Sequence, residues 1–486
     1  MHIYSEKEIR EIDHQAEKNG LPVFTLMENA GAGLYKALAG KISKRQTVCI
    51  AAGKGNNGGD GIVLARYLLI NGYQASIYLP FGPPDESSPA GKHLAYLRAC
   101  GYNAETEWLH ADVLVDALLG TGFHPPLKEE AAGVIRALNE EKAMKVSIDL
   151  PSGIQADTGT VNEGFEADFT LCLHGFKPSA FLMPSERYYG ETEVVDIGLP
   201  QTGNKRVWSG EDAGMTLPAI HSTAHKGTFG TGYLLAGSDT MPGSALLAAK
   251  GAIRSGAGKL IIGTSRFAAG AIAGAVPEAT YEIDGFYKTA KGKLPDKIKA
   301  AAIGPGLEEE DAMERCVKTL LAEEDLPVVL DAGAIQKRKY SKRKIPPILT
   351  PHPGEMSRIT GLSIEDIQSR RIEAAGQYAK EQHVIVVLKG RHTVMAFPDG
   401  DVYVNPTGNA ALAKGGSGDS LTGIILAFLC THSSIKEAVA NAVYLHGSTA
   451  DLWVESGGER SMAASDIPEL IPAVMKKLEE KRRRAE

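Results

Sequence analysis

At 486 residues the chain is long for a single hydrophobic core, so two or three domains are expected. With 43% apolar and 23% charged residues it has the balance of an ordinary globular protein, and no run of about 18 apolar residues marks a membrane-spanning helix. A net charge of -7 argues against a nucleic-acid partner, which favours a basic face, and the one basic cluster, KKLEEKRRRAE, has the pattern of a solvated helix end.

The first expected element is a helix. Ser5 and Glu8 form a capping box, Ile9, Ile12 and Ala16 share a face, and Gly20 ends it. The opening residues lack the apolar core of a signal peptide. Cys49, Cys100, Cys172, Cys316 and Cys430 form no C-x-x-C and suit small core residues in a reducing compartment. A cytoplasmic location is therefore expected.

From there to about residue 200, the apolar runs TVCIAA, ASIYLP, ADVLVDALLG, KVSIDLPSG, ADFTLCLHG and TEVVDIGLP alternate with helical patterns. Such alternation points to a parallel sheet with helices on both faces. TVCIAA leads into GKGNNGGDG, whose first six letters satisfy the dinucleotide fingerprint G-x-G-x-x-G. The acid expected about 20 residues on, at the end of the next strand, is missing, because ASIYLP runs into FGPP. That disfavours a hydride-transferring dehydrogenase.

CIAAGKGNNGGDG, VLVDALLGTGFHPP and VSIDLPSG share one design, a buried strand ending in a small-residue loop with an acid. Ligands bind beyond the carboxyl ends of strands in open α/β sheets. The loops could thus gather Asn56, Asn57, Asp60, Asp116, Asp149 and Ser152 in one pocket. Glycines 58, 59 and 61 would let backbone approach an anion at a helix start. Asn57, Asp116 and Ser152 offer oxygens suited to a hard cation rather than zinc. Asp149 is placed to act as a general base. Either Asp116 or Asp149 alone could simply cap a helix; three such strand ends in one domain favour a shared site.

GNNGGDGIVLAR, VDALLGTGFHPP and IDLPSG together resemble the NAD(P)HX epimerase family across essentially all of residues 1–205. The resemblance implies a Rossmann-like doubly wound sheet over residues 1–207. It implies substrate contacts at Asn56, Asn57, Gly58, Gly59 and Asp60, and at Gly120, Thr121, Gly122, Phe123, His124, Pro125 and Pro126. It further implies potassium at Asn57, Asp116 and Ser152, with Asp149 on the substrate. That substrate is a damaged cofactor in which water has added across a double bond of the reduced nicotinamide ring. Its C6 carbinolamine exists as two epimers, and Asp149 is the expected base for their interconversion.

Residues 200–228 are rich in Gly, Pro and polar residues without periodicity, and a linker is expected near 207–215. A second strand–helix alternation follows through GTGYLLAGSD, GKLIIGT, AAIGPGL, LPVVLDAGA, PPILTPHPGE and HVIVVLKGRHTVMAF. It ends in AKGGSGDSLTGIILAFL, where Gly415, Gly416 and Gly418 can expose backbone N–H groups at the start of an apolar helix. Such a start stabilises a phosphoryl group in transfer, and Asp419 can take a proton from an attacking hydroxyl. The structural alternative is a glycine-rich cap with Asp419 as dipole partner.

No Walker P-loop is present, and the pattern resembles the ribokinase-like superfamily. AHKGTFG (with Ala224 where Ser is common), AIGPGL, LTPHPGE, VVLKGRHTV and NPTGN resemble, in order, the ADP-dependent NAD(P)HX dehydratase family over residues 222–475. The resemblance implies a ribokinase-like α/β domain over 215–486. Lys389, Gly390, Arg391, His392, Thr393 and Gly418 would hold the nucleotide, and Gly306, His352 and Asp419 would face the hydrated nicotinamide. For His352 an exposed loop is the competing reading, and for KGRHT a surface hairpin. ADP as co-substrate, magnesium on its phosphates and a homo-oligomer of this chain are expected. Two other readings stay open: a small-molecule kinase releasing a stable phosphoester, and a first half that only senses dinucleotide.

Overall fold

The apolar runs of the first half form strands β1 (Thr47–Ala52), β2 (Gln74–Tyr78), β3 (Val113–Ala117), β4 (Met144–Ile148), β5 (Phe169–Leu173) and β6 (Glu191–Val195). The structure is a computed structural model that describes residues 1–105 and 110–485. The strands pair in the order β2-β1-β3-β4-β5-β6, every pair parallel. The runs are continuous because both faces are covered. Val48, Ile50 and Ala52 enter a core on one face, while Cys49, Ala51 and Leu114 enter a second core on the other. The helices are α1 (Glu6–Lys18), α2 (Val23–Ala39), α3 (Asn56–Ile70), α4 (Pro89–Ala99) and α5 (Glu129–Glu140). The capping box of α1 forms as expected, with the Glu8 carboxylate accepting the Ser5 N–H at 2.8 Å.

The chain moves outward from β1 to β2, then returns past β1 to β3. That reversal opens a crevice beyond the carboxyl ends of β1 and β3, where doubly wound sheets bind ligands. Register places Asp116 beside Ala51 on one side and Ser147 on the other.

The chain divides into two compact units, Met1–Lys205 and Arg206–Glu486. The linker expected near 207–215 is corrected. Residues Lys205–Val207 form strand β7, and Ser209 caps helix α6 (Gly210–Thr216) through a capping box with Asp212. The polar letters that suggested a linker are capping residues, and the irregular stretch comes later, at 217–230.

The remaining strands are β8 (Thr231–Leu235), β9 (Lys259–Thr264), β10 (Thr280–Ile283), β11 (Ala300–Ile303), β12 (Val328–Leu330), β13 (Ile348–Leu349), β14 (Ile385–Leu388), β15 (Val394–Ala396) and β16 (Val402–Val404). The sheet order is β10-β9-β8-β11-β12-β13-β14-β15-β16-β7, parallel from β10 to β14 and antiparallel from β14 to β16. Here the order reverses at β8 and β11. Around the sheet lie α7 (Pro242–Arg254), α8 (Arg266–Ile272), α9 (Gly285–Ala290), α10 (Glu310–Ala322), α11 (Pro353–Thr360), α12 (Ile364–Ser369), α13 (Arg371–Gln382), α14 (Ser417–Thr431), α15 (Ile435–Val454) and α16 (Asp466–Ala485). The basic cluster forms the end of α16, and Glu486 lies outside the described residues.

All five cysteines are free thiols; four are buried as expected, and Cys100 is exposed at the end of α4. Among the described residues no helix is long and apolar enough to cross a membrane.

Helices α7 and α14 meet backbone to backbone. A Cβ on Gly423 would strike the Ala248 carbonyl, and one on Gly251 would strike that of Ser420. Gly423→Ala should therefore lower the stability of the second unit by about 1–3 kcal/mol through overpacking, read as a lower denaturation midpoint.

Candidate active sites

In the first unit, the crevice is a cavity of about 870 Å³. Asn56, Asn57, Asp60, Gly120, Thr121, Gly122, Phe123, His124, Pro126 and Asp149 line it, so three separate strand ends meet as expected. Gly58, Gly59 and Pro125 are not among its walls. The glycines expected to admit an anion instead admit protein. A Cβ would strike the Gly53 carbonyl from Gly58, Met27 from Gly59, and Ala117 from Gly61. Their small size lets α3 start directly against β1 and β3.

Asp149 follows β4 with φ +70, a left-handed backbone that side chains other than glycine rarely adopt. Its carboxylate accepts the Leu173 N–H at 3.0 Å and forms a buried ion pair with Lys177. The Lys177 ammonium also donates to the carbonyls of Leu173 and Gly175 at 3.1 and 3.2 Å. Lys177, 1% exposed, was not singled out in the sequence. It sits in HGFKPSA, the loop after β5, and the strand-end rule applied to the other loops reaches it too. Asp13 on α1 also lines the cavity and was missed, because a helix position obeys no strand-end rule. Burial and the Asp149 charge raise Asp13 to about 6 against the pull of Lys177. Burial, Asp149 and Asp13 raise Asp60 well above the carboxylate range.

Asp116 is fully buried. Its oxygens accept from Ser152 Oγ (2.6 Å), Ser152 N (2.8 Å), Ser147 Oγ (3.1 Å) and Leu118 N (3.2 Å). Burial still raises its pKa, and no cationic side chain pairs with it among the described residues. Asn57 Nδ2 donates to the Leu119 carbonyl at 2.9 Å, while the Leu119 N–H donates to Ser152 Oγ at 2.9 Å. Asn57 Oδ1 is buried without a hydrogen-bond partner. Leu119 thus ties Asn57 to Ser152, two of the residues expected to hold a cation.

In the second unit, α14 begins at Ser417 behind Gly416, which takes φ +91 as N-cap. First-turn N–H groups of a helix lack intrahelical acceptors and favour anions. Asp419 lies in that first turn, where burial raises it to about 6 while a hydrogen bond from Ser244 on α7 pulls it down. A Cβ on Gly306 would meet Ser244 and the Met241 carbonyl, so this glycine (φ +66) sits against the start of α7.

Lys389 to Thr393 form the turn of the β14–β15 hairpin, so KGRHT is a hairpin loop, with Gly390 and Arg391 exposed and His392 and Thr393 buried. Its lysine turns inward to Asp331 at 3.0 Å, with its ammonium 3.4 Å from where a Gly418 Cβ would be. Burial disfavours the Lys389 cation, but Asp331 and Glu355 outweigh it and raise its pKa. Asp331, 2% exposed, also accepts from Thr350 (2.7 Å) and Thr422 (2.8 Å). It ends β12 in LPVVLDAGA, the same strand-end acid pattern, and sequence reading passed over it. Arg371 donates to the carbonyls of Leu388 and Lys389, both at 3.0 Å, bracing the hairpin. His352 is exposed and caps α11, its Nδ1 accepting from Gly354 N (3.0 Å) and Glu355 N (3.3 Å).

Two open α/β units, each with its chemistry at the reversal of strand order, define a two-domain enzyme with a ribokinase-like second half. A family model described as NAD(P)H-hydrate dehydratase matches residues 233–473, and one described as YjeF-related protein N-terminus matches residues 23–179. The chain is 34% identical to the bifunctional NAD(P)H-hydrate repair enzyme of Moorella thermoacetica, over 99% of this chain and 98% of that protein. It is 50% identical over 276 residues to the ADP-dependent (S)-NAD(P)H-hydrate dehydratase of Bacillus subtilis, covering 57% of this chain and 100% of that one. A crystal structure of the ADP/ATP-dependent dehydratase from Bacillus subtilis, co-crystallized with ATP/Mg2+, matches with TM-score 0.56 and 49% identity over 57% of this chain and 100% of that chain. A ribokinase-like protein from Enterococcus faecalis matches with TM-score 0.51 and 25% identity, over 57% of this chain and 98% of that one. The chain belongs to the family of bifunctional NAD(P)H-hydrate repair enzymes.

Lys177→Met should cost about 3–5 kcal/mol, because it leaves the Asp149 charge buried and unpaired; urea unfolding of the first unit reads it. A carboxylate expected to act as base does so only when ionised, so if Asp419 has that role, turnover in the second unit should fall as pH drops through about 6. The Ser244 hydrogen bond favours the ionised form, so Ser244→Ala should move that limb of the pH profile to higher pH.

Proposed function

We propose that the chain repairs hydrated nicotinamide dinucleotides in two steps, one in each unit. The first unit interconverts the R and S epimers of NAD(P)HX. The second dehydrates the S epimer to NAD(P)H at the expense of ADP, giving AMP and phosphate. The observation that carries this reading is the contrast between the two switch-point sites. One is a deep cavity around an ion-paired carboxylate; the other is a glycine-started helix with a carboxylate base and a lysine.

In the second unit Asp419 takes the proton of the carbinol hydroxyl as its oxygen attacks the terminal phosphoryl of the nucleotide. The first-turn N–H groups of α14 and the Lys389 ammonium face the charge that develops there. Hydroxide leaves poorly at neutral pH, whereas phosphate leaves well. The ring nitrogen lone pair then expels phosphate, and loss of a C5 proton restores the double bond. Lys389 to Thr393 and Gly418 hold the nucleotide, and Gly306 and His352 lie toward the nicotinamide. Magnesium, when bound, shields the phosphates and needs few protein ligands beyond them; Asp331, Glu355 and Asp419 are the carboxylates grouped around Lys389.

In the first unit Asp149 is the base, paired with Lys177. Asn57, Asp116 and Ser152 fit potassium. The orphaned Asn57 oxygen and the Asp116 charge lacking a cationic partner are the supporting observations. Potassium, when bound, supplies the positive charge that the Asp116 site lacks. A cytoplasmic location and self-association belong to the same proposal, the first supported by the free thiols.

The test supplies pure R or S hydrated NADH with ADP and magnesium, and follows recovery of reduced-nicotinamide absorbance. Both epimers should be recovered by the intact chain. Asp149→Asn should stop R recovery while leaving S recovery intact. A stable phosphoester without NADH would overturn the repair reading in favour of a simple kinase. Replacing potassium by a bulky organic cation should slow R recovery at least about tenfold and spare S recovery, in line with the loss of an oriented acid–base site.

A further inference from the structure

The inner walls of the first cavity hold three carboxyls, Asp13, Asp60 and Asp149, and one buried ammonium, Lys177. Asp149 has the ammonium to itself. Asp13 accepts no hydrogen bond and forms no ion pair among the described residues; burial and the nearby charges of Asp149, Lys177 and Asp60 act on it. It comes from α1, whereas Asp149 and Lys177 come from the loops after β4 and β5. Substrate in the cavity therefore meets carboxyls delivered by separate elements. The other titratable or charged groups that line this space are Arg10 from α1, Lys54 after β1, Asp60 from α3, His124 and Lys128 between β3 and α5, Glu130 from α5, and His174 after β5.

A carbinolamine carbon can epimerise through loss of its oxygen from one face and return of water to the other, with the ring kept closed. A departing hydroxyl needs a proton donor, and a returning water needs an acceptor. One residue that is always ionised can do only the second. Two carboxyls whose surroundings hold one protonated and the other ionised divide the work.

We propose that Asp13 is the general acid of this epimerisation, opposite Asp149 as general base; this rests on the epimerase reading of the first unit. The Asp13 proton passes to the C6 hydroxyl, the C6–O bond breaks with the ring nitrogen pair forming C=N+, and neutral water departs. Water then adds to the opposite face of C6, Asp149 takes its proton, and the electron pair returns to nitrogen. Asp13 ends ionised and Asp149 protonated, and exchange with solvent restores both. The raised Asp13 carboxyl, near 6, suits a donor, and a bound ring that excludes water holds more of it protonated.

The experiment uses the full chain, with R hydrated NADH, ADP and magnesium, and subtracts the uncatalysed epimerisation. Asp13→Asn should lower R recovery about 100-fold or more, the usual scale for a lost general acid. S recovery in the same variant should stay at the intact rate, and Asp13→Glu should regain part of the R rate. The intact chain should lose R turnover as pH rises above about 6, and Asp13→Asn should lose that limb, which a purely structural role would not produce. In 18O-water, each epimerisation should place solvent oxygen at C6. Retention of the original oxygen, or an Asp13→Asn variant with the intact rate and pH profile, overturns the proposal. If the intact chain never recovers the R epimer, the epimerase reading itself fails.

Discussion

A carboxylate buried at the end of a parallel strand costs several kcal/mol unless donors or a cation surround it. Both units are organised around that demand, and they meet it differently. Asp116 is wrapped by hydroxyl and N–H donors without a cationic side chain. Asp149 takes a whole lysine, enclosed until almost nothing of it reaches solvent. Asp331 combines two threonine hydroxyls with Lys389, and the pair brings the ammonium beside the start of α14. Where no donor is supplied, as at Asp13 and Asp60, burial and neighbouring carboxylates raise the pKa of the acid.

The same topological device serves two chemistries. In each sheet the strand order reverses between two parallel neighbours, β1 and β3 in the first and β8 and β11 in the second, and loops from both sides of the reversal converge. The first unit lines that crevice with residues from the loops after all six strands and from α1 and α2, which suits a reaction needing enclosure. The second places the first turns of α7 and α14 together, held close by glycines that let their backbones touch. Phosphoryl transfer needs fixed N–H groups more than many side chains, and rigid helix ends provide them.

Much of this was legible in the sequence. Buried parallel strands announce themselves as unbroken apolar runs, and TVCIAA coincides with β1 residue for residue. The strands that escaped notice, β7, β10 and β16, are short or carry charged residues, as in TYEI. Asn56, Asn57, Asp60 and Asp149 stood out as strand-end polar residues in small-residue loops, and they do line the cavity, whereas Gly120 to Phe123 were implied only by the family resemblance. Lys177 and Asp331 obeyed the same rule, yet nothing local tells which polar residue of a loop turns inward. Asp13 was hidden for a different reason: its neighbours in space, Asp149 and Lys177, are far away along the chain. The glycines of NNGGDG were legible as close-approach positions, but only packing reveals that Met27 and Ala117, rather than a ligand, do the approaching.

Asp149 bears a left-handed backbone that costs of order 1–3 kcal/mol, sustained by the strands on either side of it. Aspartate and asparagine tolerate that conformation better than most residues, and glycine tolerates it best. A glycine here would relieve the backbone and discard the carboxylate in the same stroke. It would also strand the Lys177 ammonium in the interior, a loss larger than the strain relieved, so the ion pair is what holds a carboxylate in a conformation its backbone resists.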